Sequence, residues 1–377
     1  MAGTRVAVLG AGNVGCSLAA HLTLRGIDVR LCNRSGHRLE DIRRSGGITV
    51  TGAVEGVAHV PTLTTDVGEA VRNADVVAVT VPTPALPFYA PALAETTSDE
   101  QVIWLDPGHS GGALYLGAEI RRRRGGSPLI CQLSTASHGS RMAGPATVGV
   151  FALTAASLAA FPSRDLDECH NRVDALLPGQ FSKAASVLEL DLQNVNAVMH
   201  PPQTVCNASW IEATGGDFLI YREGSGPATA RIIEAVDSER LALANALAVP
   251  TLSLVDALAR AGYTTADAAA TGSVYAALQA GEPIGRVKAP PTLDHRYLHE
   301  DVGWGLVQWI SLARVASVPT PTMDALTILA GACNGLDYYR EGLTLERMGL
   351  SGIGPGEILA YARNGPSPTI EHFAQEA

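Results

Sequence analysis

The chain opens on an apolar run, residues 4–9, which stops abruptly at Gly10-Ala11-Gly12-Asn13-Val14-Gly15; beyond it Val14, Leu18 and Leu22 recur every fourth position. A short apolar run fits a buried strand and a four-residue recurrence fits one face of a helix, so the pattern predicts a strand–turn–helix unit. Residues 27–32 read as a second strand. Residues 75–81 are apolar without alternation, the mark of a strand covered on both faces. Residues 101–105 and 129–133 repeat that character on either side of a helical stretch at 111–124. Such alternation predicts a doubly wound, mostly parallel sheet. After Pro178 the pattern becomes Ala/Leu-rich and helical, as at 228–247, 251–261 and 304–315. The expected division is therefore an α/β domain over residues 1–185 and an all-α domain over 186–377.

Composition bounds this picture. A chain of 377 residues exceeds the size at which one core stops growing, which agrees with two domains. With 46% hydrophobic and 17% charged residues it is not a disordered polymer. A net charge of −10 argues against nucleic acid, which calls for a basic face. The basic run Arg121-Arg122-Arg123-Arg124 reads instead as a solvated helix C-terminus, where cations suit the dipole. Six cysteines occur singly, without CxxC or Cys/His ligand spacing, so they read as reduced core residues, with no metal site and a cytoplasmic setting. No basic-then-apolar leader opens the sequence and no apolar stretch reaches about 18 to 20 residues, so neither secretion nor a membrane is expected. Nothing in the sequence sets the oligomeric state, and a homodimer stays open.

The glycine spacing carries chemistry because of where it stands. GxGxxG directly after a strand and at the start of a helix is the dinucleotide-binding arrangement of a Rossmann domain. Gly10 permits the tight turn, Gly12 lets the backbone approach a pyrophosphate, and Gly15 lets helix and strand pack closely. Asn13 and Val14 complete the helix N-terminus that faces the phosphates. The second strand ends in Cys32-Asn33-Arg34-Ser35, without the acid that would chelate a ribose 2′-hydroxyl; Asp28 lies too early. Arg34 offers a planar donor for a 2′-phosphate, so NADP(H) is favoured over NAD(H), with Asn33, Ser35 and Pro82 placed beside it. His37 and Arg38 either add positive charge or are ordinary loop residues.

In the second half the unusual stretch is Asn194-Val195-Asn196-Ala197-Val198-Met199-His200-Pro201-Pro202, with Asn207 close behind. If it is helical up to the prolines, Asn196 and His200 share a face and His200 sits where the helix breaks. By spacing alone, Arg296 and Asp301 read as a surface ion pair at a helix start.

These segments resemble the octopine/nopaline (opine) dehydrogenase family. The resemblance runs through Pro107-Gly108-His109-Ser110-Gly111-Gly112-Ala113, the NxxxHP of 196–201, and Asp217-Phe218-Leu219-Ile220-Tyr221-Arg222-Glu223-Gly224. It continues in Arg296-Tyr297-Leu298-His299-Glu300-Asp301 and in residues 342–350. It implies a helical second domain of the 6-phosphogluconate dehydrogenase type, and reductive condensation of an amine or amino acid with a 2-oxo acid through an imine. His200 then corresponds to the catalytic histidine, Asp301 to the carboxylate that orients it, and Asn196 to a group holding substrate. Arg296 takes a position that reaches the cofactor pyrophosphate. A histidine paired in this way can protonate or polarise a carbonyl oxygen near neutral pH. Gln132, Thr135, His138 and Asn207 fall at substrate positions. Glutamine and His138 replace a frequent acid and aromatic there, and Leu343 a frequent arginine, which implies a different amine partner. The rival readings are a ketone or preformed-imine reductase of the ketopantoate reductase type, and a dinucleotide-binding protein without turnover.

Overall fold

The computed structural model describes residues 3–126 and 128–366. Two compact units divide the chain between Leu190 and Asp191, and the segment from Ala360 belongs with the first. The break thus falls past the residue 185 that composition suggested. The returning segment is held within the first unit by Tyr361, whose ring lies 5.2 Å from that of Phe161 and whose hydroxyl accepts from Arg121 Nη2 at 3.2 Å.

The first unit contains strands β1 (Arg5–Leu9), β2 (Asp28–Cys32), β3 (Ile48–Gly52), β4 (Gly56–Ala58), β5 (Thr62–Thr64) and β6 (Val76–Val79). They are followed by β7 (Val102–Leu105), β8 (Leu129–Leu133), β9 (His138–Gly144), β10 (Thr147–Leu153), β11 (Ala156–Phe161) and β12 (Phe181–Lys183). Eight form one sheet in the order β12-β11-β8-β7-β6-β1-β2-β5, in which only the β11–β8 pair is antiparallel. Val6, Ala7, Val8 and Leu9 of β1 are fully buried between β2 and β6, each large side chain contributing about 1.5–3 kcal/mol of burial. Chain order reverses between β1 and β6, and ligands bind outside the carboxyl ends of strands at such a switch point. A separate four-stranded sheet, β4-β3-β10-β9, was not foreseen. Arg122 and Arg123 at the end of the helix Gly112–Arg124 pair with Glu119, and Arg124 pairs with Asp99.

Among the described residues the second unit is helical apart from a single bridge between Leu219 and Lys288. Its longest helix, Pro227–Ala246, carries the fully buried Arg240. That guanidinium donates to Asp237 and to the carbonyls of Leu192 and Leu252, so the buried charge is paired and the chain on either side is pinned to the helix. Two expectations need correction. The helix bearing His200, Val195–Cys206, does not stop at Pro201 and Pro202 but runs through both, forfeiting only the two amide donors the prolines lack. Of the six cysteines, Cys206 and Cys333 are exposed rather than core residues. Among the described residues no helix is long and apolar enough to cross a membrane, and no cluster of three His, Cys, Asp or Glu side chains could hold a metal.

Candidate active site

The glycine turn in the first unit is built by exclusion. Gly10 has φ +110° and its missing Cβ would meet Val81 Cγ1 at 2.7 Å; a Cβ on Gly15 would collide with the carbonyl oxygen of Gly10. Thr80, one strand away, donates from Oγ1 to the carbonyls of Leu9 and Gly10 at 3.0 and 3.1 Å and fixes the turn. Gly12 is different, because open space lies where its Cβ would be. The helix that follows, Asn13–Leu24, has Gly12 as its N-cap and no side chain capping its first amides. An uncapped helix N-terminus beside an open glycine suits a pyrophosphate, and the cradle therefore fits a dinucleotide.

The expected neighbours are distributed around this turn. Asn33 Oδ1 accepts from the Ala11 amide at 3.0 Å and Asn33 Nδ2 donates to Ser35, so this side chain braces the loop. Asn13 Oδ1 accepts from the Met142 amide at 2.9 Å, tying the helix to β9, while Val14 is half-buried and Pro82 exposed. Arg34 is exposed, with its guanidinium 5.7 Å over the Phe88 ring. Burial, then Asp66 and Glu69, push the Cys32 thiol up to about 12, which shows that carboxylates do lie near the end of β2. Both are engaged: Asp66 caps the Glu69 amide at 3.2 Å and Glu69 accepts from the Thr64 hydroxyl.

Two of the expected substrate residues turn inward. Gln132 is buried and its Oε1 accepts from the Ala113 amide at 3.1 Å, in the first turn of the helix Gly112–Arg124. His138 is also buried, its Nδ1 2.7 Å from Ser137 Oγ and its Nε2 3.0 Å from His21 Nδ1. Ser137 reaches Asp106 Oδ2 at 2.5 Å. Burial, then His21, bring the His138 pKa down to about 3, and burial lifts Asp106 to about 6 against the two hydrogen bonds from Ser137. Thr135 is half-buried between β8 and β9. A cavity of about 540 Å³ at the β5 edge, lined by Arg43, His59, Thr62 and Glu69 among others, holds none of the expected residues.

In the second unit His200 and Asp301, distant in sequence, meet: Nδ1 lies 2.7 Å from Oδ2, both side chains almost fully buried. A carboxylate only accepts, so Nδ1 carries the proton toward Asp301 and Nε2 is the nitrogen that exchanges. Asp301 opens a π-helical turn, Asp301–Leu306, a form enriched at functional sites. Asp301 is therefore not the surface ion-pair partner of Arg296; that partner is Glu300, whose Oε2 takes Arg296 Nε at 2.9 Å and Nη2 at 2.8 Å. Burial opposes the Arg296 charge, but Glu300 and Asp301 outweigh it and raise its pKa.

Sequence reasoning missed two aromatic residues here. Tyr221 Oη lies 2.7 Å from His200 Nε2, and Tyr297 stacks on the imidazole at 3.6 Å between centroids with 14° between planes. Both stand in motifs that carried the family resemblance, which was the available signal. Asn207 explains how Tyr221 is placed: its Nδ2 donates to Gln203 O at 2.7 Å and Gly224 O at 2.8 Å. Gln203 Nε2 also donates to Ser225 Oγ, which donates to Ile220 O, so the 220–225 turn is stitched to the His200 helix. Asn196, one turn before His200, is half-buried, and its side-chain amide has no partner among the described residues.

Comparison with known proteins agrees with this geometry. Residues 183–334 match the NAD/NADP octopine/nopaline dehydrogenase, alpha-helical domain family, and residues 6–108 match the ketopantoate reductase PanE/ApbA family. The chain is 35% identical over 349 residues to an opine dehydrogenase of Arthrobacter sp. (strain 1C), covering 92% of this chain and 95% of that protein. It is 26% identical over 369 residues to a vitopine synthase of Allorhizobium ampelinum, covering 94% and 98%. A solved octopine dehydrogenase in complex with NADH and agmatine has the same fold, with a TM-score of 0.75 at 21% identity and coverage of 94% and 98%. With a glycine cradle fit for a dinucleotide and a buried histidine–carboxylate pair in the matching helical domain, the chain belongs to the opine dehydrogenase family and is a nicotinamide-dinucleotide-dependent oxidoreductase.

Proposed function

We propose that the protein condenses the amino group of an amino acid with a 2-oxo acid and reduces the product to a secondary amine, with NADP(H) as the preferred dinucleotide. The buried His200–Asp301 pair is the observation that carries this reading. Asp301 fixes the imidazole through Nδ1, and His200 manages the proton at Nε2: it supplies a proton to the oxo-acid oxygen as the amine adds, takes back the proton that the added amine loses, and supplies it again to the resulting hydroxyl so that water leaves and C=N forms. Asn196, with its amide uncommitted, holds the substrate carboxylate. Gly10, Gly12 and Gly15 would hold the dinucleotide, which would supply the hydride for reducing C=N to the amine.

NADP(H) preference is supported by the exposed Arg34 guanidinium and by the prior engagement of Asp66 and Glu69. Gln132 is neutral and bonded to the Ala113 amide, which favours an amino donor without a second cationic group over one with a cationic tail. The match of residues 6–108 to ketopantoate reductase keeps simple ketone reduction as a second reading. A matrix of 2-oxo acids and amino acids, scored by NADPH consumption, separates the two. Condensation requires both partners, whereas equal consumption with the oxo acid alone assigns ketone reduction.

A further inference from the structure

Both ring nitrogens of His200 are occupied. Nδ1 faces Asp301, Nε2 faces the Tyr221 hydroxyl at 2.7 Å, and Tyr297 covers one face of the ring. Any proton passing between His200 and a substrate must therefore move through the phenol, or the phenol must leave. Tyr221 is held against leaving by the Asn207 and Gln203–Ser225 stitches that fix its turn to the His200 helix. We propose that Tyr221 is a catalytic residue of this site, the group that touches the substrate oxygen and hands it the proton that His200 supplies; this rests on the condensation reading above.

The step balances without another reactant. The phenolic O–H breaks as an O–H forms on the hydroxyl of the amine adduct, the Nε2–H of the imidazolium breaks as the phenol regains its proton, and the adduct's C–O bond breaks to release water as the nitrogen lone pair forms C=N. The sequence begins with imidazolium and leaves neutral imidazole, phenol and the Asp301 carboxylate. The surroundings keep Tyr221 a proton donor: burial first, then Tyr297, which hydrogen-bonds it, and Asp301 raise its pKa well above the usual phenol range, and Arg296 opposes them. The remaining titratable groups facing the pair are Glu300, paired with Arg296, and His295, edge-on to Tyr297 at 4.8 Å. Burial, then Arg296 and His200, lower the His295 pKa, so it does not add a positive charge near neutral pH.

Tyr221→Phe keeps the ring and deletes the relay atom. In the full chain, with an amine and oxo acid that the wild type turns over, the expected result is a fall in kcat of about 10²-fold, little change in the oxo-acid KM, and a thermal midpoint close to wild type. His200→Ala combined with Tyr221→Phe should be little worse than the worse single change. Replacing Tyr221 by 3,5-difluorotyrosine, a more acidic phenol, should move the alkaline limb of the kcat profile to lower pH, a response that a spacer cannot give. If Nε2 instead acts directly, Tyr221→Phe frees it, and unchanged or higher kcat overturns the proposal. A greater loss in Tyr297→Phe than in Tyr221→Phe assigns the donor to Tyr297 and also overturns it. Absence of wild-type turnover with every oxo acid, with or without amine, sinks the condensation reading and the relay together; wild-type turnover with full activity in Tyr221→Phe sinks the relay alone.

Discussion

His21 and His138 meet nitrogen to nitrogen at 3.0 Å inside the first unit, so one ring must accept where the other donates and a second proton between them is disfavoured. Their rings are edge to face, 5.3 Å between centroids. Burial and each ring's cationic neighbours lower both pKa values, most strongly for His138, which falls from 6.5 to about 3. At the other end of the same chain, beyond Ser137, burial raises Asp106 from 3.8 to about 6.

These shifts act on stability with opposite signs. Asp106 is raised, so its contribution is complete below its unfolded pKa near 3.8 and is lost as pH rises through about 6. His138 is depressed, so its contribution is complete above 6.5 and is lost as pH falls toward about 3. Between roughly pH 4 and 6 the two slopes, each about 1.4 kcal/mol per pH unit, cancel. The Asp106 and His138 contributions to the wild-type denaturation midpoint should offset each other there, leaving its pH dependence to His21 and the other titrating groups. His138→Asn should expose the Asp106 slope and become more stable as pH falls from 6 to 4, and Asp106→Asn should do the reverse. Parallel pH profiles for both variants and wild type would show that the chain of groups is not coupled to folding.

His200 and Asp301 work as one unit in the proposed reaction, because a 2.7 Å bond at Nδ1 sets the tautomer that the chemistry at Nε2 uses. His200→Ala and Asp301→Asn should each lower kcat by about 10² to 10⁴, with the double variant little worse than the worse single one. Strictly multiplicative losses in steady-state kinetics would assign the two residues separate tasks.

The sequence made the parallel sheet and glycine cradle legible because β1, β6 and β7 are short, mostly apolar runs bounded by turn residues, and β2 and β8 keep apolar positions around Arg30 and Gln132. It concealed β9 and β10, because residues 138–153 interleave glycines with polar and apolar side chains and the pairing of the two strands shifts register twice. The His200–Asp301 contact spans 101 positions, and residue pattern alone singled out His200 but assigned Asp301 to a surface pair; only the family motifs joined the two. Helix propensity misled at Pro201 and Pro202, because a buried helix fixed by neighbours on both sides tolerates the loss of two amide donors. Gln132 and His138 stand in a motif suggestive of substrate, yet their polar atoms are engaged within the first unit, an arrangement that depends on Ala113, Ser137 and His21 rather than on local sequence.

Arg34 tests the choice of dinucleotide. Its guanidinium is exposed and lies over the Phe88 ring, so a 2′-phosphate would find a donor that need not break an ion pair first. Arg34→Ala should raise the NADPH KM at least tenfold more than the NADH KM, with the thermal midpoint unchanged. Equal catalytic efficiency of the wild type with both dinucleotides would defeat the assignment.

The three glycines of the cradle should fail in different ways, because space is missing at two of them and present at the third. A Cβ on Gly15 would run into the Gly10 carbonyl, and one on Gly10 would press on Val81 and Thr80 from a positive φ, so both alanine variants must move backbone between β1 and the helix Asn13–Leu24. Loss of folding stability by about 1–3 kcal/mol is expected there, the usual range for overpacking or strain. Gly12 has negative φ and nothing within 4 Å of its Cβ position, so Gly12→Ala should fold with a near-normal midpoint. That same open space is where the pyrophosphate would approach the uncapped helix, and a methyl group would fill it. Gly12→Ala should therefore lose dinucleotide affinity by tenfold or more while retaining wild-type stability. Calorimetric titration with NADPH alongside thermal melting separates the outcomes: wild-type affinity in a stable Gly12→Ala protein would place the phosphates elsewhere, and instability equal to that of Gly15→Ala would mean that the open space at Gly12 is not a ligand site.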